Sequence, residues 1–478
     1  MGNKDYLPKD NYTISFWLSE QTEFSRFRST ENIPKEVDTL IIGSGYAGTS
    51  TAYHLLEQDP NADVAIFEAR NLCSGATGRN GGHVKPYIHR YYDLYTELIG
   101  EEGAAEIANS EYEHLWLLKD LVDEHKIDCD FFLTRACDVY PYKDDPRLVR
   151  DMKCYDRFMK SPYIREDLKK QVQVYYGDAA RTISKNPNTE VAVTYPAASC
   201  WPWKLMMALL KKCVDKGLNL QANTMVTEAT QRSDGKWVVK TADRGETICN
   251  KLVFATNGYT KALLSEFSNT IVPQKGVICR IVAKDKSTVP HLTNTYGLFT
   301  SLLKSDYLIN RPDGSIVVGG QDDTMLDLSK SGEAALSEHF DCVDDSFVQE
   351  KAVEVWNDNY MQERFTTWKN TPTEVSHVWS GVLGFTNDYL PYVGELDCIG
   401  KKGAYICAGF HGHGMPRVLL SGKAIATCIA TGKGIKEIPY TCPTGYFVSK
   451  KRIEGKNIHK EELLEYVKNK PTLLKARM

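Results

Sequence analysis

Short apolar runs alternate along the chain with longer segments in which apolar residues recur every three or four positions. Residues 37–42 form a mostly apolar, β-branched run that ends at a glycine, which is typical of a buried parallel strand. Residues 47–56 continue with a helical pattern, and residues 63–67 form a second strand-like run. Together these segments predict a strand–helix–strand unit with parallel strands.

Both patterns extend along most of the chain. Residues 1–36 are polar with isolated aromatic residues, which predicts an arm laid on the body of the protein. Helices are predicted over residues 91–126, with breaks near Gly100 and Gly103, and over residues 203–216, 337–356 and 417–430. Strands are predicted over residues 218–222, 225–230, 237–240, 252–255, 272–283 and 315–319. Residues 144–163 show only a mixed, charged pattern.

The composition excludes several classes of protein. The chain has 478 residues, a formal charge of −4 and no long basic run, so neither nucleic acid nor an anionic membrane is expected as a partner. No window reaches the roughly 18 apolar residues of a membrane span, and the polar N-terminus does not resemble a signal peptide. The 13 cysteines are scattered singly, without zinc-site spacing, which predicts reduced thiols in an intracellular protein and no metal centre.

The C-terminus ends in Ala476, Arg477 and Met478, which resembles a conservative variant of the Ser-Lys-Leu peroxisomal address. The tripeptide would be read by a peroxisomal import receptor. A chemistry that releases hydrogen peroxide would suit that compartment, so a peroxisomal location is favoured over a cytoplasmic one.

A glycine motif lies between the first predicted strand and helix. Gly43 permits a tight turn, Gly45 lets the backbone approach a pyrophosphate, and Gly48 lets the helix pack closely on the strand. Glu68 ends the next strand, where its carboxylate can accept hydrogen bonds from both ribose hydroxyls. The arrangement predicts an adenine dinucleotide, either NAD or FAD.

The segment after Glu68 favours the longer cofactor. It is rich in small residues and backbone donors, whereas an NAD domain ordinarily continues there into another strand–helix crossover. The cofactor-binding residues predicted up to this point are Gly43, Gly45, Tyr46, Ala47, Gly48, Glu68, Ala69, Arg70, Ser74, Gly75, Ala76, Thr77, Arg79, Asn80, Gly81, Gly82 and His83.

These motifs resemble the D-amino-acid oxidase superfamily of FAD enzymes. Within it the chain is similar to the glycine oxidase and sarcosine oxidase-like group, and most of all to the γ-glutamylputrescine oxidoreductase type. The likeness extends over most of the chain and rests on residues 15–17, 39–56, 74–82, 255–259, 379–381, 386–391 and 409–415.

The resemblance implies a mixed α/β fold, in which a Rossmann-type FAD-binding domain is interleaved with a substrate domain that carries a large antiparallel sheet. The FAD domain would comprise residues 37–92, 190–262 and 375–435, and the substrate domain residues 93–189 and 263–374. Residues 1–36 would form the arm and residues 436–478 a C-terminal tail.

The resemblance also implies roles for individual residues. Val226 would hold the adenine through its backbone, Gly81, Gly82 and His83 would border the isoalloxazine, and residues 412–415 would lie beside flavin N1 and the C2 carbonyl. Further cofactor-binding residues are predicted at Val226, Ala255, Thr256, Asn257, Gly381, Asp388, Gly409, Gly412, His413, Gly414 and Met415.

The residues around His413 support an anion site independently of the resemblance. Gly409, Gly412 and Gly414 precede a predicted helix and can form a nest of backbone donors. His411 and His413 have no carboxylate at a suitable sequence spacing, so a metal site is not predicted and a structural or flavin-adjacent role is favoured.

The expected reaction is oxidation of a C–N bond in an amine or amino acid. The substrate carbon would donate hydride to flavin N5, the imine would hydrolyse, and O₂ would reoxidise the flavin and give H₂O₂. No catalytic residue is identified, and the candidates are Lys275, His413 and Arg417. Lys275 could assist the reduction of oxygen, or it could be an exposed lysine at a strand end.

Two departures from the family pattern qualify the resemblance. The covalent cysteine of sarcosine oxidase-like relatives has no counterpart in residues 379–385, and Cys407 lies inside a predicted strand, so non-covalent FAD is expected. Pro416 occupies the place of the lysine that grips a substrate carboxylate in those relatives, and Arg417 follows it. The motif therefore does not predict recognition of an α-carboxylate.

Three alternatives to an oxidase remain. The first is an FAD dehydrogenase that uses another electron acceptor. The second is a flavin-binding regulatory protein without turnover, and the third is an NAD-dependent dehydrogenase.

Overall fold

Two large β-sheets dominate the computed structural model, which describes residues 3–299, 305–321, 325–327, 329–357, 359–439 and 441–475. The strands are β1 (Glu36–Ile42), β2 (Val64–Phe67), β3 (His83–Val84), β4 (Phe132–Tyr140), β5 (Gln173–Tyr176), β6 (Val191–Ser199), β7 (Asn219–Gln221), β8 (Val226–Gln231), β9 (Trp237–Thr241), β10 (Glu246–Phe254), β11 (Ile271–Ala283), β12 (Asn294–Phe299), β13 (Ser305–Asn310), β14 (Ile316–Gly320), β15 (Thr373–Thr386), β16 (Tyr392–Leu396) and β17 (Lys401–Ala408).

The helices come from all parts of the chain. They are α1 (Tyr46–Gln58), α2 (Tyr92–His125), α3 (Pro146–Lys160), α4 (Glu166–Gln171), α5 (Gly177–Ser184), α6 (Pro202–Asp215), α7 (Glu350–Val355), α8 (Tyr360–Arg364), α9 (Val418–Thr431), α10 (Lys450–Ile453) and α11 (Ile458–Lys475). Within the described residues, none of these helices is both long and apolar enough to cross a membrane.

The first sheet has a parallel centre in the order β17-β10-β1-β2-β7, with β16 antiparallel to β17 at one edge. β8 and β9 form an antiparallel extension beside β10. α1 and α9 pack together, and a methyl group added at Gly422 would lie 2.5 Å from Ser50 Oγ. The predicted strand–helix–strand unit is therefore confirmed as β1, α1 and β2.

The second sheet has the order β15-β11-β14-β13-β12-β4-β6-β3, and β5 pairs with β6. Its pairs are antiparallel apart from β12 and β4, which run parallel. The mixed α/β fold with a large, mainly antiparallel sheet is thus confirmed. The division into domains stays a prediction, but β3, β6 and β15 pair in the second sheet although their residues were assigned to the FAD domain.

Several predicted elements differ from the structure. The helix expected over residues 337–356 is wrong, because only Glu350–Val355 is an α-helix. Phe340 instead bridges to Gln274 of β11, and the Asp345 carbonyl accepts from the Thr13 amide at 2.8 Å. These contacts hold the segment extended against β11 and the arm.

Other elements were missed or only partly foreseen. α3 lies within residues 144–163, where no element was assigned, and the predicted C-terminal tail contains α10 and α11. The break expected near Gly100 is present, since Gly100 has φ +82° inside α2. The terminal tripeptide 476–478 lies outside the described residues, so its role as an address stays a prediction.

Candidate active site

The glycine turn between β1 and α1 leaves no room for side chains. Gly43 has φ +104°, and a methyl group there would lie 2.7 Å from the carbonyl oxygen of Ala255. A methyl group at Gly48 would overlap the carbonyl oxygen of Gly43. At the third position, Gly45 faces Thr77 Oγ1 at 3.2 Å from an added methyl group. The turn therefore exposes backbone where a pyrophosphate would lie.

Glu68 follows β2 and is held in one orientation. One of its carboxylate oxygens accepts from the Ser44 amide at 2.9 Å and from Ser44 Oγ at 2.8 Å. The other accepts from the Arg70 amide at 3.1 Å. The carboxylate thus lies at the carboxyl ends of β1 and β2, where a ribose is expected in a fold of this kind.

A cavity of about 750 Å³ extends from this turn to the second sheet. Most of the predicted cofactor residues line it, namely Gly43, Gly45, Tyr46, Ala47, Glu68, Ala69, Arg70, Gly75, Ala76, Thr77, Arg79, Asn80, Gly81, His83, Val226, Ala255, Thr256, Asn257, Gly381, Gly412, His413, Gly414 and Met415. Arg417 lines it as well. Such a volume lies in the upper range of cofactor sites.

Some predicted residues lie outside the lining. Gly48, Ser74, Gly82 and Gly409 do not line the cavity, although each adjoins a residue that does. Asp388 points away, because its carboxylate accepts from Arg452 Nε at 2.7 Å. The structure thus brings most of the predicted set to one cavity, while the role of each residue stays a prediction.

Arg70 and Arg79 border the cavity, but their guanidinium groups are already paired within the protein. Both pair with the buried carboxylate of Asp345, at 3.2 Å and 3.5 Å respectively. The Tyr12 ring of the arm lies between them, with guanidinium carbons 4.5 Å and 4.7 Å from its centroid. Arg79 also donates to the carbonyl of Ser380 at 2.6 Å. These arginines therefore tie the arm and β15 to the loop after Glu68.

His413 has a carboxylate partner that its sequence neighbourhood did not show. Glu111 of α2 approaches it, with 3.0 Å between His413 Nε2 and Glu111 Oε2. Arg417 Nε donates to the other oxygen of Glu111 at 2.7 Å, and the Tyr87 amide donates to Oε2 at 2.6 Å. No carboxylate lies at a suitable sequence spacing from His413, and Glu111 precedes it by 302 residues, so only the fold brings the two side chains together.

A cationic cluster forms another part of the cavity wall. Lys85, Arg90 and Arg147 are each at most 6% exposed. Lys85 forms a short ion pair with Asp138, whose other oxygen accepts from Tyr195 at 2.8 Å. These lining residues were not identified from the sequence, because no local motif distinguishes them from surface cations.

The carboxylate of Asp151 forms ion pairs with three arginines. Arg90 and Arg147 each approach its carboxylate at 3.9 Å, and Arg150 does so at 2.9 Å. The Phe299 ring contacts the guanidinium carbons of Arg90 and Arg147, at 4.3 Å and 4.1 Å from its centroid. One carboxylate is thus shared among three guanidinium groups.

Lys275 is neither exposed nor at a strand end. It lies inside β11 with 0% exposure, so the interpretation as an exposed strand-end lysine is wrong. Its Nζ lies 3.1 Å from the centroid of the Phe347 ring and finds no hydrogen-bond partner among the described residues. Burial lowers the pKa of the amine. The side chain does not line the cavity, and a role in oxygen reduction stays a prediction.

The C-terminal helix contributes residues that the sequence did not place at the site. His459, Glu462 and Leu463 of α11 line the cavity. His459 Nε2 lies 2.7 Å from Gln274 Oε1, and Glu462 accepts a short hydrogen bond from the hydroxyl of Tyr389. The predicted tail over residues 436–478 has no sequence motif, so only the folded structure reveals these contacts.

The residues present fit an FAD molecule. Glu68 and the glycine turn line one part of the cavity. The small residues Gly81 and Gly381 line the part next to the second sheet. Cys154 is the one cysteine among the described residues that line the cavity. Cys407 is buried inside β17. Non-covalent attachment stays a prediction. No group of three or more possible metal ligands occurs in the described part of the chain.

Comparison with known proteins agrees with this geometry. A family described as "FAD dependent oxidoreductase" matches residues 38–427. Probable oxidoreductase OrdL of Haemophilus influenzae is 21% identical over 432 residues, which cover 87% of this chain and 88% of that protein. Gamma-glutamylputrescine oxidoreductase of Escherichia coli is 29% identical over 120 residues, which cover 25% of this chain and 28% of that protein.

Solved structures share the fold. L-proline dehydrogenase from P. horikoshii superposes with a TM-score of 0.66 at 18% identity, over 87% of this chain and 97% of that one. Glycine oxidase from Geobacillus kaustophilus gives a TM-score of 0.66 at 17% identity, over 87% and 99% of the two chains. The glycine turn, Glu68 and the family match over most of the chain lead to one conclusion: the protein belongs to the D-amino-acid oxidase family of FAD dependent oxidoreductases.

Proposed function

We propose that the protein oxidises the C–N bond of an amine that also carries a carboxylate, in other words an amino acid or an N-substituted amino acid. The single observation that supports this substrate class is the burial of the Arg90 guanidinium with an incomplete set of hydrogen bonds. This guanidinium is 6% exposed, and its Nε has no hydrogen-bond partner among the described residues.

A buried guanidinium needs a counter-ion. The nearest carboxylate, Asp151, lies 3.9 Å from Arg90 and is already held by Arg150 at 2.9 Å. Asp138 is occupied by Lys85. Because Asp151 is shared among three guanidinium groups, a carboxylate on the substrate would give Arg90 a closer counter-ion. In those relatives a lysine binds the substrate carboxylate at the place of Pro416. Here Arg90 would provide that contact instead.

FAD, when bound, supplies the acceptor for the hydride that leaves the substrate carbon. The part of the protein is to orient the substrate and exclude water. Arg90 would hold the carboxylate, and the side chains of Tyr87, Tyr91 and Phe299 wall the same part of the cavity with aromatic surface. The imine product would then hydrolyse to a carbonyl compound and an amine.

Oxygen is the proposed electron acceptor, with hydrogen peroxide as product. A dehydrogenase that passes electrons to another carrier is the alternative, and the solved structures of similar fold include one named an oxidase and one named a dehydrogenase. Peroxide formed in air by the purified protein during turnover would support the oxidase.

The test is anaerobic bleaching of the flavin by a panel of amino acids, N-methyl amino acids, polyamines and glycated amines. We expect bleaching by compounds that carry a carboxylate and not by simple polyamines. Bleaching by non-amine compounds tested beside this panel, without bleaching by any member of the panel, would contradict C–N oxidation. Failure of the whole panel would favour a regulatory protein without turnover.

A substitution at Arg90 tests the substrate class. Arg90→Met keeps the apolar stem and removes the charge, so the apparent Kd for a carboxylate-bearing substrate should rise at least about 10-fold. Arg157→Met is the matched control, since Arg157 of α3 does not line the cavity and its side chain is 43% exposed. Equal effects of the two substitutions would contradict the role of Arg90.

A further inference from the structure

Glu111 of α2 joins two loops that border the cavity. It is 1% exposed and accepts from His413, from Arg417 and from the amide of Tyr87. The three donors come from the loop before α2 and from the loop before α9. A buried carboxylate with three donors fixes the relative position of both loops.

The protonation states of the pair follow from its surroundings. Burial raises the pKa of Glu111, but Arg417 and His413 more than offset it and lower the pKa to about 2. Burial lowers the pKa of His413 to about 4, although Glu111 opposes the shift. Near neutral pH an ionised Glu111 therefore faces a neutral imidazole.

A carboxylate can only accept hydrogen bonds, and a neutral imidazole carries one N–H. The contact of 3.0 Å between Glu111 and Nε2 therefore places the proton of His413 on Nε2. Nδ1 is left as an acceptor, and it has no hydrogen-bond partner among the described residues. His413 lines the cavity, so this acceptor belongs to the site.

The orientation of the imidazole is fixed as well. The Tyr87 ring stacks on it with centroids 3.4 Å apart and an interplanar angle of 10°. Arg417 is itself held, because it donates to the hydroxyl of Tyr95 at 2.9 Å. Tilting the imidazole out of this plane would lose the stacking with Tyr87, and a half-turn within the plane would lose the contact with Glu111.

We propose that Glu111 is a positioning residue that holds His413 in the Nε2-protonated form, so that Nδ1 accepts a hydrogen bond from the N–H of the bound amine. The inference rests on the proposed function. It accounts for a buried carboxylate at Glu111, which does not itself line the cavity. The titratable and charged groups that surround His413 are Glu111, Arg417, Arg90, Tyr87, His83, His114 and His411.

The first test reads the imidazole directly. In the FAD-loaded protein labelled with ¹⁵N-histidine, His413 is assigned by the signal that His413→Gln removes. We expect an unprotonated Nδ1 and a protonated Nε2 that do not titrate between about pH 5.5 and about pH 8. A protonated Nδ1, or titration near the ordinary histidine pKa, would overturn the inference without any variant of Glu111.

The second test separates positioning from stability. Glu111→Gln can donate to Nε2, so the proton of His413 should move to Nδ1, and the apparent Kd for each panel amine that bleaches the flavin should rise about 10-fold. Glu113→Gln is the matched control, on the exposed side of the same helix. A stable Glu111→Gln protein with unchanged ¹⁵N signals and unchanged affinity would contradict the inference.

The two proposals can fail separately. If no panel amine bleaches the flavin, the proposed function fails whatever the ¹⁵N spectrum shows. If amines bleach the flavin but Nδ1 carries the proton, only the role of Glu111 and His413 is wrong.

Discussion

Gly48 shows how a single residue determines the cofactor site. It lies at the start of α1, where the helix passes so close to the glycine turn that a methyl group would overlap the Gly43 carbonyl oxygen. The two nearest atoms belong to the Gly43 backbone, which cannot rotate away. The position therefore requires glycine because of close packing rather than unusual backbone angles.

Gly48→Ala is expected to lower the free energy of unfolding by about 3 kcal/mol or more, because the overlap displaces the turn. FAD content should fall with it. The ratio of flavin to protein absorbance measures the second effect and thermal unfolding the first. Gly103→Ala in α2 is the control, since its nearest neighbour is the end of the Ile99 side chain at 3.0 Å and alanine favours helix. Full FAD occupancy in Gly48→Ala would contradict the role of the turn.

At the scale of elements, α11 closes part of the cavity although it follows the family match, which ends at residue 427. Leu463 and Val467 pack in an apolar cluster with Val272 of β11 and with Phe340. Lys460 pairs with Glu333 at 2.7 Å on the outer side. A small apolar cluster thus adds to the polar contacts of His459 and Glu462 in holding the helix.

Leu463→Ala should weaken this contact by about 2–3 kcal/mol, the cost of a large-to-small change in a packed cluster. Because the cluster is small, we expect faster hydrogen exchange in α11 with little change in the first sheet. Glu461→Ala, an exposed neighbour on the same helix, should leave exchange unchanged. Equal protection of α11 in both variants would show that the cluster does not hold the helix.

On the scale of the whole molecule, burial of histidines determines the response to acid. Burial is the largest cause that lowers the pKa of nine of the 11 histidines, namely His54, His83, His89, His114, His339, His377, His411, His413 and His459. In the unfolded chain each would protonate near its ordinary pKa of about 6.5. The folded protein binds these protons only at lower pH.

Unfolding therefore takes up protons below about pH 6.5, and the stability falls as the pH decreases toward about 4, by about 1.4 kcal/mol per pH unit for each proton. Above about pH 7 this contribution is constant. Melting temperatures of the FAD-loaded protein between about pH 8 and about pH 5 measure it. His114→Leu should flatten the decline, whereas His291→Leu, at an exposed position, should not. A melting temperature independent of pH over this range would contradict the expectation.

The sequence by itself determined the nucleotide half of this protein. The glycine turn, α1 and Glu68 lie within about 30 residues, and local periodicity and steric requirements of glycine are properties of neighbouring positions. The same holds for α6, α9 and the hairpin of β8 and β9, which were predicted within a few residues. The family resemblance then extended the site to residues 255–257 and 412–415.

Only the tertiary structure decided which distant residues meet around the rest of the cavity. Glu111 meets His413 across 302 positions, Arg90 meets Asp151 across two separate elements, and α11 returns to the cavity from a segment without a motif. The predicted helix over residues 337–356 failed for the same reason, since contacts with Gln274 and Thr13 outweigh its local pattern. Pairing of distant charges leaves no period in a sequence, because the distance between two side chains is set by the fold and not by their spacing along the chain.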